Sequence, residues 1–202
     1  MWYSTSGVDN RVDWTQATAS AQWTARGGHT SVVFDNKMWV IGGYYGNDVW
    51  YSTNGVDWTQ ATASAPWSAR TGHTSVVFDN KMWIIGGAYL DENWKGLNDV
   101  WYSTNGVDWT QATASAQWTA RRSHTSVVFD DKMWIFGGRD GSGYKNDVWY
   151  STNGVDWTQA TASAQWTARF DYTSVVFDNK MWIIGGADGS NWKNDVWYTP
   201  LP

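Results

Sequence analysis

The chain contains no cysteine, which excludes disulfides, thiolate metal ligands and a cysteine nucleophile. Only 33 of its 202 residues are charged (14 Lys and Arg, 19 Asp and Glu), and the formal charge of -5 leaves no excess of basic residues. That balance argues against nucleic-acid or anionic-membrane partners, which require a basic face. No apolar run approaches the roughly 18 residues of a membrane span. The first residues, MWYSTSG, carry neither a charged start nor an apolar stretch of the signal-peptide kind. A soluble chain is therefore expected, with its compartment left open. Phenylalanine is scarce, at six, whereas tryptophan reaches 19 and tyrosine ten. An aromatic load of that size in a chain this long supports a substantial core.

What is present is one segment written four times. His29, His73, His124 and Tyr172 each precede TSVVFD, a KMW triplet and a Gly-Gly pair, while Trp14, Trp58, Trp109 and Trp157 each sit in VDWTQATASA. Both markers step by 44, 51 and 48 residues, so the segment has been duplicated in tandem with insertions. Periods of this size belong to propellers, solenoids and arrays, in which each unit buries its apolar face only against its neighbours. A single domain over 1–202 is expected, with repeats at about 17–60, 61–111, 112–159 and 160–199.

Each unit reads as four short strands. In the first unit they are placed at residues 30–35, 38–41, 48–52 and 56–60. Asp35-Asn36-Lys37 supplies a tight turn, Gly42-Gly43 ends the second strand, and Asn54-Gly55 is the pair that a type I′ turn favours. Helical periodicity is missing throughout, so the fold class is all-β. The second and third strands are apolar on both faces, as in Met38-Trp39-Val40-Ile41, which demands a sheet packed between other sheets. Four-stranded antiparallel sheets arranged face to face about an axis, a β-propeller, satisfy that demand.

The run Arg70-Thr71-Gly72-His73, the doublet Gly86-Gly87, then Asn98-Asp99-Val100-Trp101-Tyr102 and Trp109 beyond it resemble the kelch repeat. Gly42-Gly43 with Tyr51 and Trp58, and Gly137-Gly138 with Tyr150 and Trp157, repeat the pattern; Gly185-Gly186 is followed by Tyr198 with no later Trp. The resemblance implies a propeller with four kelch-like blades per chain, a scaffold shared by the central domain of galactose oxidase and by actin-binding and ubiquitin-ligase adaptor proteins. It implies no single activity. The STNGVDW turn also resembles the Asp-box of sialidases, SxDxGxTW, one residue short and with Asn for Asp. Kelch propellers usually have more than four blades, and the last unit here lacks its fourth strand. The remaining copy lies at the N-terminus, at residues 12–16. It is expected to complete the last blade, either within one four-bladed monomer or, the favoured arrangement, between two chains that form a head-to-tail homodimer with eight blades.

Strand alternation places the loops before the first strand and between the second and third at one end of every unit. There the copies diverge, while the opposite turns read DNK, DNK, DDK, DNK and STNG with little change. Variation confined to one face points to recognition. The candidate ligand-binding residues on it are Tyr44, Tyr45, Tyr89, Trp94, Arg122, Arg139, Tyr144, Phe170, Asp171 and Trp192. Aromatic planes beside charged groups suit a protein or a glycan. The histidines and Tyr172 are read as inter-blade supports rather than metal ligands, and Asp140-Gly141-Ser142 and Asp188-Gly189-Ser190 as turns rather than calcium loops. No cofactor is expected. Nor does any set of nucleophile, acid and base stand out, so the chain is read as a non-enzymatic recognition or scaffold protein. The alternatives are a purely structural repeat protein, recently amplified or deliberately built, and a metal-dependent or sialidase-like enzyme.

Overall fold

The computed structural model describes residues 14–89 and 94–199. Among them the chain forms four consecutive antiparallel sheets. The first holds β1 (Thr30–Phe34), β2 (Lys37–Ile41), β3 (Val49–Ser52) and β4 (Thr59–Thr62). β5 (Thr74–Phe78), β6 (Lys81–Tyr89), β7 (Lys95–Ser103) and β8 (Thr110–Thr113) make the second. The third consists of β9 (Thr125–Phe129), β10 (Lys132–Asp140), β11 (Gly143–Ser151) and β12 (Thr158–Thr161). The fourth has three strands, β13 (Thr173–Phe177), β14 (Lys180–Ala187) and β15 (Trp192–Tyr198). Strand order within every sheet follows the chain. These are propeller blades: β1 packs against β5, β5 against β9 and β9 against β13, so the first strand of each sheet lines the inside.

The core consists of three layers, each between two successive sheets. Phe34, Trp39, Ile41 and Val49 of the first sheet meet Met82, Ile84 and Trp109 of the second. The same positions recur between the second and third sheets, where Trp83, Ile85 and Val100 meet Met133, Ile135 and Trp157. Between the third and fourth, Phe136 and Val148 meet Met181 and Ile183. The two-faced apolar strands are thus explained, because each sheet contributes one face to the layer before it and the other to the layer after. The tryptophans donate inward as well: the Trp39, Trp83 and Trp134 indoles each bond the carbonyl of the Phe five residues earlier, at 2.9 Å. These three bury an aromatic body while satisfying its N–H; the buried Nε1 atoms of Trp23, Trp67 and Trp118 have no such partner among the described residues.

Three local expectations need correction. The type I′ turn lies at Asp35-Asn36 and its copies, where both residues have positive φ (50° and 53°) and Phe34 pairs directly with Lys37. In the Asn54-Gly55 turn only the glycine has positive φ, and side chains hold it instead: Ser52 Oγ accepts the Asn54 and Gly55 N–H groups, while Asn54 Oδ1 accepts those of Val56 and Asp57. That side-chain turn occupies the residues expected to begin the fourth strand, which consequently starts at Thr59 rather than Val56. The glycine doublet ends the second strand in the first sheet alone. In the others the strand bulges at the doublet and continues, because a longer insert extends the hairpin: Ile85 and Gly87 bracket the shift in β6.

The expected sealing strand at 12–16 falls partly outside the described residues. Within them, Thr15-Gln16-Ala17-Thr18 has the sequence of β4, β8 and β12 but joins no sheet, and Trp14 is 96% exposed.

Candidate functional site: the mouth formed by the variable loops

Each set of variable loops stands on the same foundation. Arg26, Arg70, Arg121 and Arg169, from the segments before the first strands, fork onto Asp48, Asp99, Asp147 and Asp195 at the base of the third strands, with N–O distances of 2.5–2.8 Å. The indoles of Trp50, Trp101, Trp149 and Trp197 donate to the same carboxylates. A planar guanidinium matched to a carboxylate fixes orientation as well as distance. Despite the cost of burial, the arginine and Trp149 hold the Asp147 carboxyl below its ordinary range. The clamp joins both ends of the loop pair, so residues beyond it can vary without disturbing the sheet.

The histidine positions bind neighbouring sheets together. His73 Nε2 lies 2.9 Å from Thr30 Oγ1 in the preceding sheet, and His124 Nε2 lies 3.2 Å from Thr74 Oγ1. Burial, reinforced by the positive charges of Arg70 and Arg121, pushes both imidazoles down to about 3. They stay neutral over the physiological range. Tyr172 takes the same place in the fourth sheet, and burial raises its phenol well above the usual range. His73 and His124 support the junctions by hydrogen bonds and Tyr172 by packing with Val127 and Phe136, whereas His29 is exposed beside Trp23 of its own repeat.

Above the clamps the loops converge on a mouth of about 340 Å³. Six of the ten candidate residues line it, at least one from every sheet: Tyr44, Trp94, Arg122, Arg139, Phe170 and Asp171. Trp94 has positive φ (53°), a strained backbone for a large side chain, and its ring meets Tyr44 edge-on at 6.1 Å. The Arg122 guanidinium lies 4.4 Å over the same ring. Arg139 stands 5.6 Å over Tyr144, which is itself stacked on Phe170 at 4.9 Å and 9°. The backbones of Arg122 and Arg139 exchange two hydrogen bonds of 3.0 and 2.9 Å, which holds the two cationic residues together. Burial, then the charge of Arg139, lowers the affinity of Arg122 for its proton. Asp171 shares the rim, but among the described residues neither guanidinium has an ion pair or side-chain hydrogen bond, in contrast to the four clamp arginines.

The remaining candidates lie around this centre. Tyr144 supports Arg139 and Phe170 from outside the lining; Tyr45 is 86% exposed beside Tyr44. Tyr89 lies under Lys95 at 5.8 Å, and Trp192, at the start of β15, is 78% exposed and does not line the mouth. Residues 90–93, which include Asp91 and Glu92 of the second insert, are outside the described residues. Sequence reasoning missed the lining backbone of Gly28, Thr71, Gly72 and Ser123. Gly28, Gly72, Ser123 and Asp171 occupy equivalent positions and all have positive φ, and the Ser123 N–H donates to the Gly72 carbonyl at 2.8 Å. The signal was the glycine immediately before His29 and His73.

Sheets of this order about an inner row of first strands define a β-propeller. The family model for the KLHDC2/KLHL20/DRC7 Kelch-repeats domain matches residues 72–201, and that of the Kelch motif matches residues 25–58. The chain belongs to the kelch-repeat family. No curated protein matches it significantly. Kelch propellers are generally non-enzymatic scaffolds that bind proteins. No helix among the described residues is long and apolar enough to cross a membrane.

Proposed function

We propose that this chain is a non-enzymatic recognition propeller that binds a protein partner by seating an acidic segment in the mouth between the variable loops. The observation that carries the reading is the pair Arg122 and Arg139, held side by side on aromatic planes and, among the described residues, in no ion pair with a carboxylate. Two adjacent like charges repel, and an anionic ligand group relieves that repulsion while gaining charge-assisted hydrogen bonds. Trp94, Tyr44 and Phe170 supply apolar planes on either side, the composition that dominates affinity at protein interfaces. A mouth of about 340 Å³ is the size of a short side-chain cluster. It fits a peptide turn or terminus better than a flat domain surface.

A peptide array displaying acidic, neutral and basic segments, with a glycan array beside it, tests the proposal. Acidic peptides should bind, and binding should be weakened by about tenfold or more in Arg122→Ala and Trp94→Ala but kept in Trp192→Ala. Binding confined to glycans, or acidic-peptide binding indifferent to Arg122 and Trp94, would overturn it.

A further inference from the structure

The series of sheets has two unpaired ends: β13 is not packed against β1 as β1 is against β5. At the outer face of the fourth sheet, Ile184 is 40%, Val196 53% and Phe177 69% exposed, whereas the equivalent Ile41, Val49 and Phe34 are 0%, 0% and 8% exposed. At the outer face of the first sheet Met38 is 39% exposed, against 0% for Met82. The fourth sheet therefore displays one half of the layer that the chain builds three times internally, and at the first sheet Met38 is open while Val40, the equivalent of Ile84, stays covered at 5%.

The individual contacts also lack their partners. Gly106 and Gly154 pack so closely on Trp39 and Trp83 of the preceding sheets that an added Cβ would lie 2.0 and 2.1 Å from the rings, whereas Gly55 meets only the tip of Met38. Among the described residues Trp134 and Trp182 are the rings without a glycine turn. Asn47, Asn98 and Asn146 donate to two backbone carbonyls leading into the next sheet, and Asn194 makes no such bond. The indole pairs Trp23–Trp58, Trp67–Trp109 and Trp118–Trp157 meet edge-on at 5.9 Å. The next in the series, Trp166, borders a cavity of about 700 Å³ beside the position a fourth strand would take, while Trp14, the sequence counterpart of Trp58, Trp109 and Trp157, is exposed.

We infer that these ends are interfaces for a second copy of this chain. The fourth sheet of each copy docks on the first sheet of the other, two-fold symmetry closes both junctions, and Thr15-Gln16-Ala17-Thr18 of each copy supplies the other's missing strand. Trp14 of the second copy then fills the cavity beside Trp166. Gln165 accepts its backbone N–H, as Gln22 and Gln117 accept those of Trp58 and Trp157 at 2.7 and 2.8 Å. The partner's first sheet lays Gly55 on Trp182 and offers the carbonyls of Ala21 and Trp23 to Asn194. The occupant is a second copy because the exposed halves repeat, residue for residue, an interface this chain already forms with itself.

The register of β3 with β4 pairs Trp50 with Gln60, and so predicts that Trp197 faces Gln16 of the second copy. Because the chain has no cysteine, Gln16→Cys and Trp197→Cys can be made without background thiols. Mixed and oxidised, the two single variants should give a covalent species of twice 22.8 kDa that neither gives alone, and the double variant should form chains linked in a closed pair. Unmodified protein should sediment at that doubled mass, and Ile184→Glu should reduce it to one chain while keeping its circular dichroism. Crosslinking of the double variant within a single chain, or a single-chain mass for unmodified protein at micromolar concentration, would overturn the inference.

Discussion

The guanidinium of Arg122 lies 4.4 Å above the ring of Trp94, and the two residues come from different sheets. One loop presents the plane and the next presents the charge, so the contact exists only when both sheets are in place. Replacing Arg122 by Ala should weaken an acidic peptide by about tenfold to a hundredfold, the value of a hydrogen bond to a charged group. Arg122→Lys should recover part of the loss, since it restores charge without the planar fork. Peptide titration at two salt concentrations checks both, because the lost affinity should be the salt-sensitive part.

Arg121 is 1% exposed and forked onto Asp147. Arg121→Ala would leave that carboxylate buried without its partner, and an expected loss of about 3–5 kcal/mol follows. Lys132 pairs with the largely exposed Asp130 at 2.6 Å, and Lys132→Ala should cost less than about 1 kcal/mol. Urea unfolding curves of the two variants should separate clearly in midpoint.

His73 and His124 impose a pH dependence. Their folded pKa values, about 3, lie below the ordinary 6.5, so above pH 6.5 neither state takes up the proton and their contribution to stability is fully present. As pH falls from 6.5 towards 3, the unfolded chain binds protons that the folded chain refuses, and stability declines by about 1.4 kcal/mol per pH unit for each histidine. Most of this window lies above the carboxylate range. His73→Tyr with His124→Tyr, which copies the residue the chain itself uses at 172, should flatten the decline between pH 6.5 and 4.5 in thermal melts.

Gly106 has φ of 74° and lies against Trp39. Gly106→Ala should destabilise by about 2–4 kcal/mol, from left-handed strain plus overpacking. Gly141, with nothing within 4 Å of an added Cβ, should tolerate the same change to within about 0.5 kcal/mol. Thermal melting of both variants checks the contrast.

Much of this architecture was legible because repetition reports on itself. Trp39, Trp83 and Trp134 could be placed by comparing copies, and apolar residues on both faces of a strand required a sheet on either side. Turn chemistry was read less well. Asn54-Gly55 has the composition of a type I′ turn, yet Ser52 and Asn54 recruit the backbone N–H groups and open it, a competition between side chain and backbone that composition does not rank. The mouth was legible as a face but not as a constellation. Trp94 reaches Tyr44 and Arg122 because a strained backbone turns it inward, whereas Trp192, similar in its sequence setting, faces out.

Every arginine–aspartate clamp closes within one sheet and leaves the junctions between sheets to apolar packing and to hydrogen bonds between neutral groups, such as His73 with Thr30. A unit of this kind is self-contained and carries no record of how many siblings stand beside it. Descendants that gain or lose a copy would keep each unit's clamp intact while changing how many sheets stand about the axis.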